Sequence, residues 1–391
     1  MDGEQNLGKK ILITGAAGSY GNAVLDLAVK WGYDPIPTDI RLVKHARFQY
    51  CDISDVESVK VMSSIIGPVD AVIHCAGVID INATELHKKV HLDGTENLIN
   101  VFGKNDSCKA FISVSSAAIH GGTENYVKMN EEHPRSYSDS YTESKALQYD
   151  LTLKLIKEKA IIIQPALVYD ELNRYMFKEI AEIAALNLLV VLPENGNYRL
   201  SMVHPLDLAS ATLMLLERGE FGESYIISDD YPLRIREMVQ MVQRETGARL
   251  YDPKRSLKSD SIKKLVDIID RLQNNLPSLA GMEPIGSIME DLELDLSGGF
   301  TLPMDPMYLV THHAFTNEKA KKVTIKNKDQ YKINEDSMKY FTDGWFPEVN
   351  PFFEMPKVIK YWIENGILRK NAEFVDVLEF LMDTIGNFIN K

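Results

Sequence analysis

The sequence predicts an α/β fold, in which a doubly wound parallel sheet carries helices on both faces and a smaller C-terminal domain follows. Two patterns carry this prediction. Short apolar segments alternate with helical segments through the first half of the 391 residues, with connections short enough for repeated βαβ units. The first apolar segment also leads into Gly15, Gly18 and Gly21, a spacing typical of a tight turn that opens a helix.

The elements of the sheet follow in chain order. We predict strands at 11–13, 33–37, 48–51, 70–74 and 109–114, and helices at 23–30, 55–66, 85–104 and 139–159. In a sheet of this type, ligands bind beyond the carboxyl ends of the strands. The residues that follow the strands are therefore expected to surround one crevice, namely Asp39, Asp52, Ala76, Gly77, Ser115 and Ser116.

The segment from Lys10 to Gly21, K-I-L-I-T-G-A-A-G-S-Y-G, forms one side of that crevice. Glycines let a phosphate approach the backbone, and the helix dipole favours negative charge, so a dinucleotide is the first hypothesis. A turn that binds nothing is the alternative. Asp39 favours NAD over NADP, because its carboxylate would bind ribose hydroxyls and repel a 2′-phosphate. Arg41 argues the other way, since a guanidinium can hold a phosphate.

Further polar and small residues follow the next two strands. Asp52 and Ile53 are candidate contacts to an adenine amino group and ring, although Asp52 could instead cap the helix that begins near Asp55. The residues at 75–77 are small enough for the backbone to lie close to a ribose or phosphate. His74 is expected to be a hydrogen-bonded core residue.

Composition and charge exclude several classes of protein. The net charge of −13 and pI near 5.3 argue against a nucleic-acid partner, which requires a basic surface. No segment has the ~20 apolar residues of a membrane span, and the first ten residues carry no apolar signal core, so we expect a cytoplasmic protein. Cys51, Cys75 and Cys108 lack metal-ligand spacing, and adjacent His312 and His313 would point apart on a strand, so we predict no metal site.

The segment Y-T-E-S-K at 141–145 indicates the chemistry most sharply. Ser138, Asp139 and Ser140 offer N-caps, and Leu147, Leu151, Leu155 and Ile156 form an apolar stripe at helical spacing, so this segment is predicted to begin a helix.

Four residues separate Tyr141 from Lys145, so the two side chains share one face of this helix. An ammonium beside the phenol is expected to favour phenolate and to make Tyr141 a usable acid or base. Ser116 follows the strand at 109–114 and could bind a substrate oxygen while Tyr141 exchanges its proton.

These motifs together resemble the extended short-chain dehydrogenases/reductases, also called the NAD-dependent epimerase/dehydratase superfamily. The resemblance rests on T-G-A-A-G-S-Y-G at 14–21, C-D-I-S-D at 51–55, V-I-H-C-A-G at 72–77, D-G-T-E-N at 93–97, S-S-A-A-I-H-G at 115–121, Y-T-E-S-K at 141–145, Q-P-A-L-V-Y-D at 164–170 and V-H-P-L-D-L-A at 203–209. It implies a Rossmann-type sheet that binds NAD, catalytic Ser116, Tyr141 and Lys145, and a C-terminal substrate domain.

The resemblance also implies a set of cofactor contacts. They are Gly15, Ala17, Gly18, Ser19, Tyr20, Gly21, Asp39, Ile40, Asp52, Ile53, Cys75, Ala76, Gly77, Val114, Tyr141, Lys145, Pro165 and Val168. It further implies a homodimer in which the helices at 85–104 and 139–159 pack against their copies.

Departures from the family pattern narrow the substrate. Ala117 and Ala118 stand where sugar dehydratases usually place an acidic pair, and alanines cannot do acid–base work. Leu167 and Leu200 stand where nucleotide-sugar epimerases often place an Asn and an Arg, so contacts to a diphosphate are lost. His91 likewise stands where the family often has an Asn, which leaves one positioning contact in doubt.

We therefore predict an NAD-dependent oxidoreductase that acts on a small secondary alcohol or ketone. Candidate substrate contacts are Ala117, Ala118, Leu167 and Tyr175. Two alternatives stay open: an epimerase that reduces and reoxidises tightly bound NAD in each turnover, and a non-catalytic NAD-binding scaffold or sensor.

The domain boundaries follow from the same comparison of motifs. We predict an NAD-binding domain at 1–165, to which 198–217 returns, and a substrate domain over most of 166–391. The latter would include an insertion around 250–310, either a lid or a surface insertion, and a helix at 372–389 beyond the usual end of the family. The helix before that end is predicted to start at Pro356 and to finish at Gly366.

Overall fold

The computed structural model describes residues 8–80, 83–137, 139–172, 176–186, 192–249, 256–257, 311–326, 344–368 and 370. Three predictions lie outside these residues: Tyr175 as a substrate contact, most of the insertion at 250–310, and the helix at 372–389.

A seven-stranded parallel sheet forms the centre of the structure. The strands of the chain are β1 Lys10–Thr14, β2 Asp34–Asp39, β3 Gln49–Tyr50, β4 Ala71–His74, β5 Ala110–Val114, β6 Ala160–Pro165, β7 Leu167–Val168, β8 Leu192–Pro193, β9 Arg199–Leu200, β10 Met202–Val203, β11 Ser224–Ile227, β12 Leu233–Arg234 and β13 Ser256–Leu257. The central sheet has the order β11-β6-β5-β4-β1-β2-β3, and each neighbouring pair is parallel. The predicted doubly wound sheet is confirmed.

Strand register brings the candidate residues to one edge. Thr14 at the end of β1 pairs with Thr38 and with His74, and His74 pairs with Ser113. Strand order reverses direction between β1 and β4, which opens a crevice at the carboxyl ends of the strands. The residues that follow β1, β2, β4 and β5 therefore lie together at this crevice.

Helices cover both faces of this sheet. They are α1 Ser19–Lys30, α2 Val56–Ile66, α3 Thr84–His87, α4 Gly94–Leu98, α5 Ser140–Ile156, α6 Phe177–Ala185, α7 Pro205–Arg218, α8 Ile235–Thr246, α9 Glu318–Lys326 and α10 Pro351–Glu364. The side chains of β1 alternate between the faces: Ile11 and Ile13 pack in the core beneath α1, α7 and α9, and Leu12 packs beneath α2, α4 and α5.

The predicted helix at 85–104 is one helical segment from Thr84 to Gly103 with two π-helical stretches. These are Lys88–Asp93 and Ile99–Gly103, on either side of α4. Such stretches are uncommon and occur frequently near functional sites. The first stretch contains His91, which is fully buried.

A second core lies outside the sheet. It joins α6, α8 and α10 through Phe177, Val239 and Trp362. The last of these helices corrects one prediction, because α10 begins at Pro351, capped by the Asn350 side chain, and Pro356 lies inside it. The helix α6 of this second core begins at Phe177.

Two further observations concern membranes and metals. Among the described residues, no helix combines the length and apolar character needed to cross a bilayer. In the same part of the chain, no three His, Cys, Asp or Glu side chains group in a way that could hold a metal ion. The His312 and His313 side chains instead contact the Arg199 backbone N–H and the Thr311 hydroxyl.

Candidate active site

The glycine turn between β1 and α1 is packed too tightly for a side chain at Gly15 and at Gly21. Gly15 has φ +69°, and a Cβ there would lie 2.6 Å from the Ala76 backbone nitrogen. A Cβ on Gly21 would lie 2.2 Å from the Gly15 carbonyl oxygen. Gly18 caps α1 without a side-chain hydrogen bond, so no capping side chain covers the first N–H groups of the helix. This turn can hold an anion such as a pyrophosphate.

Asp39 lies at the end of β2 beside this turn. Its carboxylate accepts hydrogen bonds from the Ala17 backbone N–H at 3.0 Å and from the Arg41 backbone N–H at 2.9 Å. The Arg41 guanidinium is 3.4 Å from the same carboxylate and is largely exposed, as is the Ile40 side chain. The acid predicted to select NAD is therefore held at the glycine turn, with the competing guanidinium next to it.

The structure rules out one of the two interpretations of Asp52, that it caps α2. Asp55 is the residue that caps α2, since its carboxylate accepts the Glu57 backbone N–H at 3.0 Å. Asp52 accepts both the backbone N–H and the hydroxyl of Ser54, in the turn before the helix. Ile53 is buried, and its side chain lies against Gly94, where an added Cβ would be 2.9 Å away.

Ser116 follows β5 and begins a short 3₁₀ turn at Ala117–His120. Its hydroxyl accepts the Ala118 backbone N–H at 3.2 Å, and Ala117 is fully buried. The neighbouring Ser115 hydroxyl donates to the Lys145 carbonyl oxygen at 2.9 Å. This bond fixes the end of β5 against α5.

Tyr141 occupies the first turn of α5. The helix is capped by Asp139, one of the three N-cap candidates, which accepts the Thr142 backbone N–H at 2.8 Å. Burial raises the pKa of Tyr141 to about 12, whereas a side-chain hydrogen bond with Ser116 lowers it and the charge of Asp139 raises it further. The side chains of Tyr141 and Ser116 therefore lie near each other at this edge of the sheet.

Lys145 does not lower the pKa of Tyr141 in the way that their spacing suggested. Its ammonium donates to the Val114 carbonyl oxygen and to the Gln148 side-chain oxygen, both at 2.9 Å. Burial lowers the pKa of Lys145 to about 7, with an opposing effect of Cys75. A Cβ on Gly77 would lie 3.2 Å from Nζ, so the ammonium lies against the loop that follows β4.

The other predicted contacts lie around the same edge. Pro165 ends β6, while Val168 and Leu167 pair with β10, and Leu200 is buried. The Ser19 hydroxyl donates to the Asp170 carboxylate, and the Tyr20 hydroxyl lies 2.5 Å from that of Thr212 on α7. The side chains of Ser19 and Tyr20 thus have partners within the chain.

Sequence reasoning missed a buried hydrogen-bond network behind Lys145. The Gln148 amide donates to the Thr95 hydroxyl at 3.0 Å, and His74 Nε2 lies 2.9 Å from the same hydroxyl. His74 Nδ1 is 2.8 Å from the Thr14 hydroxyl, which accepts the Ala76 backbone N–H at 3.2 Å. The expectation that His74 is a hydrogen-bonded core residue is confirmed.

His91 joins the loop after β4 to the catalytic helix. The Ser144 hydroxyl donates to the Tyr141 carbonyl oxygen at 2.7 Å, so it must accept from His91 Nδ1, 2.8 Å away. His91 Nε2 then accepts the Val78 backbone N–H at 3.0 Å. This arrangement requires a neutral ring, in agreement with burial, which lowers the pKa of His91 strongly.

Comparison with known protein families identifies the family of this chain. Residues 11–228 match the profile of the NAD dependent epimerase/dehydratase family. The match covers more than half of the chain. The chain belongs to that family.

Individual relatives are distant. A Methanocaldococcus jannaschii protein assigned as a UDP-glucose 4-epimerase is 25% identical over 63% of this chain and 86% of its own length. The dTDP-D-glucose 4,6-dehydratase of Mus musculus is 23% identical over 61% of this chain and 74% of its own. The structure of dTDP-glucose 4,6-dehydratase from Bacillus anthracis, a complex with NAD, has a TM-score of 0.61 at 16% identity and covers 92% of this chain and 98% of that one.

Family membership confirms the prediction of an NAD-dependent enzyme family on a Rossmann-like sheet. The residues at the crevice fit such a cofactor: the glycine turn admits no side chain at Gly15 or Gly21, and the Asp39 carboxylate stands beside it. The clearest sequence signal for the missed network is the polar face of α5, on which Lys145, Gln148 and Thr152 recur at helical spacing.

Proposed function

We propose that this protein is an NAD-dependent oxidoreductase of the extended short-chain type that acts on a secondary alcohol or ketone. The observation that carries the proposal is the placement of Ser116, directly after β5, beside Tyr141 in the first turn of α5, one helical turn from Lys145. These groups match the parts that proton transfer at a carbinol oxygen requires: a proton donor or acceptor, an oxygen-binding hydroxyl and a cation.

NAD would be held by the turn from Gly15 to Gly21, with Asp39 on the adenosine ribose and Lys145 toward the nicotinamide ribose. When bound, it supplies the hydride acceptor or donor. Asp39 supports NAD over NADP, since its carboxylate would face a 2′-phosphate. The Asp39 carboxylate is buried and the Arg41 guanidinium is exposed. The carboxylate is therefore the charged group that lies inside the crevice.

Each catalytic side chain has a separate task. Ser116 donates a hydrogen bond to the substrate oxygen and stabilises its developing charge. Tyr141 takes the alcohol proton during oxidation and returns it during reduction. Burial raises the pKa of Tyr141, and Lys145 does not offset this effect in the structure described, so the positive nicotinamide ring of bound NAD would be needed as well to make the phenol a useful base.

The residues around Ser116 support a substrate without a diphosphate. Ala117 and Ala118 provide no acid or base for eliminating water. Leu167 is half-buried beside the second core, and Leu200 is buried, so neither position offers an amide or guanidinium to a phosphate. We infer that the substrate is an alcohol or ketone that carries no diphosphate.

The remaining expectations concern assembly and location. We propose a cytoplasmic homodimer in which α5 and the helical segment 84–103 meet their copies. Leu86 and Leu147, on these two helices, are about half exposed, which supports an apolar contact.

Tyr141→Phe tests the mechanism. The variant keeps the ring and loses only the hydroxyl, so NAD affinity should stay within about twofold while kcat falls by a factor of about 10² to 10⁴. The measurements are NAD titration calorimetry and NADH formation with an alcohol identified by mass spectrometry of copurifying molecules. Turnover equal to that of the wild type would overturn the assignment of Tyr141.

An isomerase is the second candidate, because the named relatives include an epimerase and a dehydratase of sugar nucleotides. In that reaction the cofactor is regenerated within each turnover. Product formation without net NADH would favour this candidate, and NADH released in proportion to product would exclude it. NAD binding without turnover on a broad panel of alcohols and ketones would instead favour a non-catalytic sensor.

A further inference from the structure

Gln148 is a buried residue of α5 that contacts the catalytic lysine directly. Its side chain is 0% exposed, and its oxygen Oε1 accepts a hydrogen bond from Lys145 Nζ at 2.9 Å. The Val114 carbonyl oxygen accepts a second bond from the same ammonium at 2.9 Å. An ammonium has three N–H groups, so one remains for a ligand in the crevice.

The orientation of the Gln148 amide is fixed by its other partner. The single hydroxyl hydrogen of Thr95 goes to the His91 carbonyl oxygen, 2.6 Å away. Thr95 Oγ1 must therefore accept from the Gln148 amide at 3.0 Å, and only the NH₂ end of the amide can donate. The carbonyl end is left to face Lys145.

The same argument extends the chain of bonds beyond Thr95. Since the Thr95 hydroxyl also accepts from His74 Nε2, the ring nitrogen Nδ1 carries no proton and accepts from the Thr14 hydroxyl. Thr14 in turn accepts the backbone N–H of Ala76. One continuous chain of buried hydrogen bonds thus connects Lys145 with the loop that lines the cofactor crevice.

From this geometry we propose that Gln148 is a positioning residue, which holds the Lys145 ammonium at the crevice and favours its charged form. The proposal rests on the proposed function insofar as Lys145 contacts the cofactor. No apolar residue could replace Gln148 in this role, because a buried ammonium needs acceptors for its N–H groups. Among the described residues, Gln148 supplies the side-chain acceptor and Val114 the backbone acceptor.

The test uses two substitutions with opposite electrostatic effects. The charged form of Lys145 is lost as pH rises through its pKa, and NAD affinity should weaken over the same range. We call this fall in affinity at high pH the alkaline limb of the NAD-binding curve. In Gln148→Glu a carboxylate faces the ammonium, so this alkaline limb should move up by about 1 to 3 pH units. In Gln148→Met the acceptor is lost, and the limb should move down by about half a unit or more. Calorimetric titration with NAD from pH 5.5 to 9.5 measures both.

A purely structural role would give a different result. Gln243 is an equally buried glutamine on α8, and Gln243→Met serves as the matched control that should lower thermal stability without moving the limb. Unshifted limbs in both Gln148 variants, or shifts in the same direction, would overturn the proposal. If Gln148→Met does not fold, Thr95→Val tests the chain one bond further out, and the limb should then move down by a smaller amount.

Lys145→Met separates this inference from the proposed function. If its NAD affinity lacks the alkaline limb while the Gln148 variants leave the limb unmoved, the positioning role alone is wrong. If Lys145→Met retains the limb, Lys145 is not the titrating group, and its assigned role falls together with that of Gln148. Neither readout needs the substrate.

Discussion

Helices α1 and α5 lie on the two sides of the crevice and bury different kinds of surface. α1 buries only small or apolar residues, which are Gly21, Ala23, Val24, Leu25 and Ala28. α5 buries mainly polar ones, which are Thr142, Ser144, Lys145, Ala146, Gln148, Thr152 and Ile156, whereas its Leu147 is 45% exposed. A helix face can therefore be buried without being apolar, provided that its polar groups find partners.

The difference determines how each helix tolerates change. α1 depends on volume, since its residues fit closely against the glycine turn, the sheet and α7. α5 depends on complete pairing, because a buried donor or acceptor without a partner costs more than one hydrogen bond contributes. Substitutions that change size should harm the α1 side most, and isosteric substitutions that remove a hydroxyl should harm the α5 side most.

Gly21→Ala should have the largest effect on the α1 side. The new Cβ would lie 2.2 Å from the Gly15 carbonyl oxygen, so the turn must shift. We expect a loss of about 3 kcal/mol in the free energy of unfolding, because overpacking displaces backbone. We also expect NAD affinity to fall below detection. Urea unfolding and NAD calorimetry measure the two effects.

Gly18→Ala is the matched control in the same turn. A Cβ on Gly18 would lie 3.3 Å from the nearest atom, again the Gly15 carbonyl oxygen, and its backbone does not have a positive φ. Its loss of stability should be less than half that of Gly21→Ala. Equal losses would show that the close contact at Gly21 is not what constrains the turn.

Thr95→Val tests the α5 side with almost no change in volume. It leaves His74 Nε2 without its acceptor, leaves Gln148 Nε2 only the longer bond to the Ser113 hydroxyl at 3.5 Å, and removes the hydroxyl that donates to the His91 carbonyl oxygen. We expect a loss of about 1–3 kcal/mol, the cost of unpaired buried polar groups. Urea unfolding at pH 7 measures it.

Thr246→Val provides the control for Thr95→Val. The Thr246 hydroxyl is equally buried, and it donates to the Val242 carbonyl oxygen one turn earlier in its own helix. Removing this local bond should cost clearly less than removing the Thr95 hydroxyl. If the two variants are equally destabilised, pairing across the network contributes nothing beyond a local hydrogen bond.

The same contrast explains how far the sequence predicts the structure. The glycine turn was predicted because its constraint is local: three glycines at fixed spacing after an apolar strand. On α5 the stripe through Leu147 correctly indicated a helix, yet Leu147 itself is largely exposed and the buried face is the polar one. Apolar periodicity cannot reveal that face, because its partners Thr95 and His74 come from other elements.

His91 is a second residue whose partners could not be predicted from the sequence. The sequence showed only that it replaces a frequent Asn, which left a positioning contact in doubt. The structure shows that its two ring nitrogens join Val78 to Ser144, and its neutral state follows from these partners together. Tyr141 and Ser116 were predicted because motif order places them at one edge of the sheet. The pKa of Tyr141 depends on burial, which spacing does not specify.

The last comparison concerns how stability depends on pH. Burial lowers the pKa of His74 to about 3, with a further contribution from the charge of Lys145. An unfolded histidine has a pKa of about 6.5. As pH falls below that value, the unfolded chain therefore binds a proton that the folded chain does not. The stabilisation is complete above about pH 6.5 and is lost toward pH 3, by about 1.4 kcal/mol per pH unit.

His74→Asn isolates the contribution of His74 to the pH dependence of stability. Buried acids such as Asp229, with a pKa raised to about 8, change stability in the opposite direction as pH falls, so the difference between two proteins must be measured. From about pH 6 to 4, the unfolding free energy of the wild type should fall more steeply than that of the variant, by about 1.4 kcal/mol per pH unit. Leu25→Ala removes a buried α1 side chain that carries no titrating group, so its curve should lie below that of the wild type and parallel to it. If the curve of His74→Asn is also parallel to that of the wild type, His74 is not held neutral. The buried face of α5 would then lack the fixed pattern of hydrogen-bond donors that distinguishes it from α1.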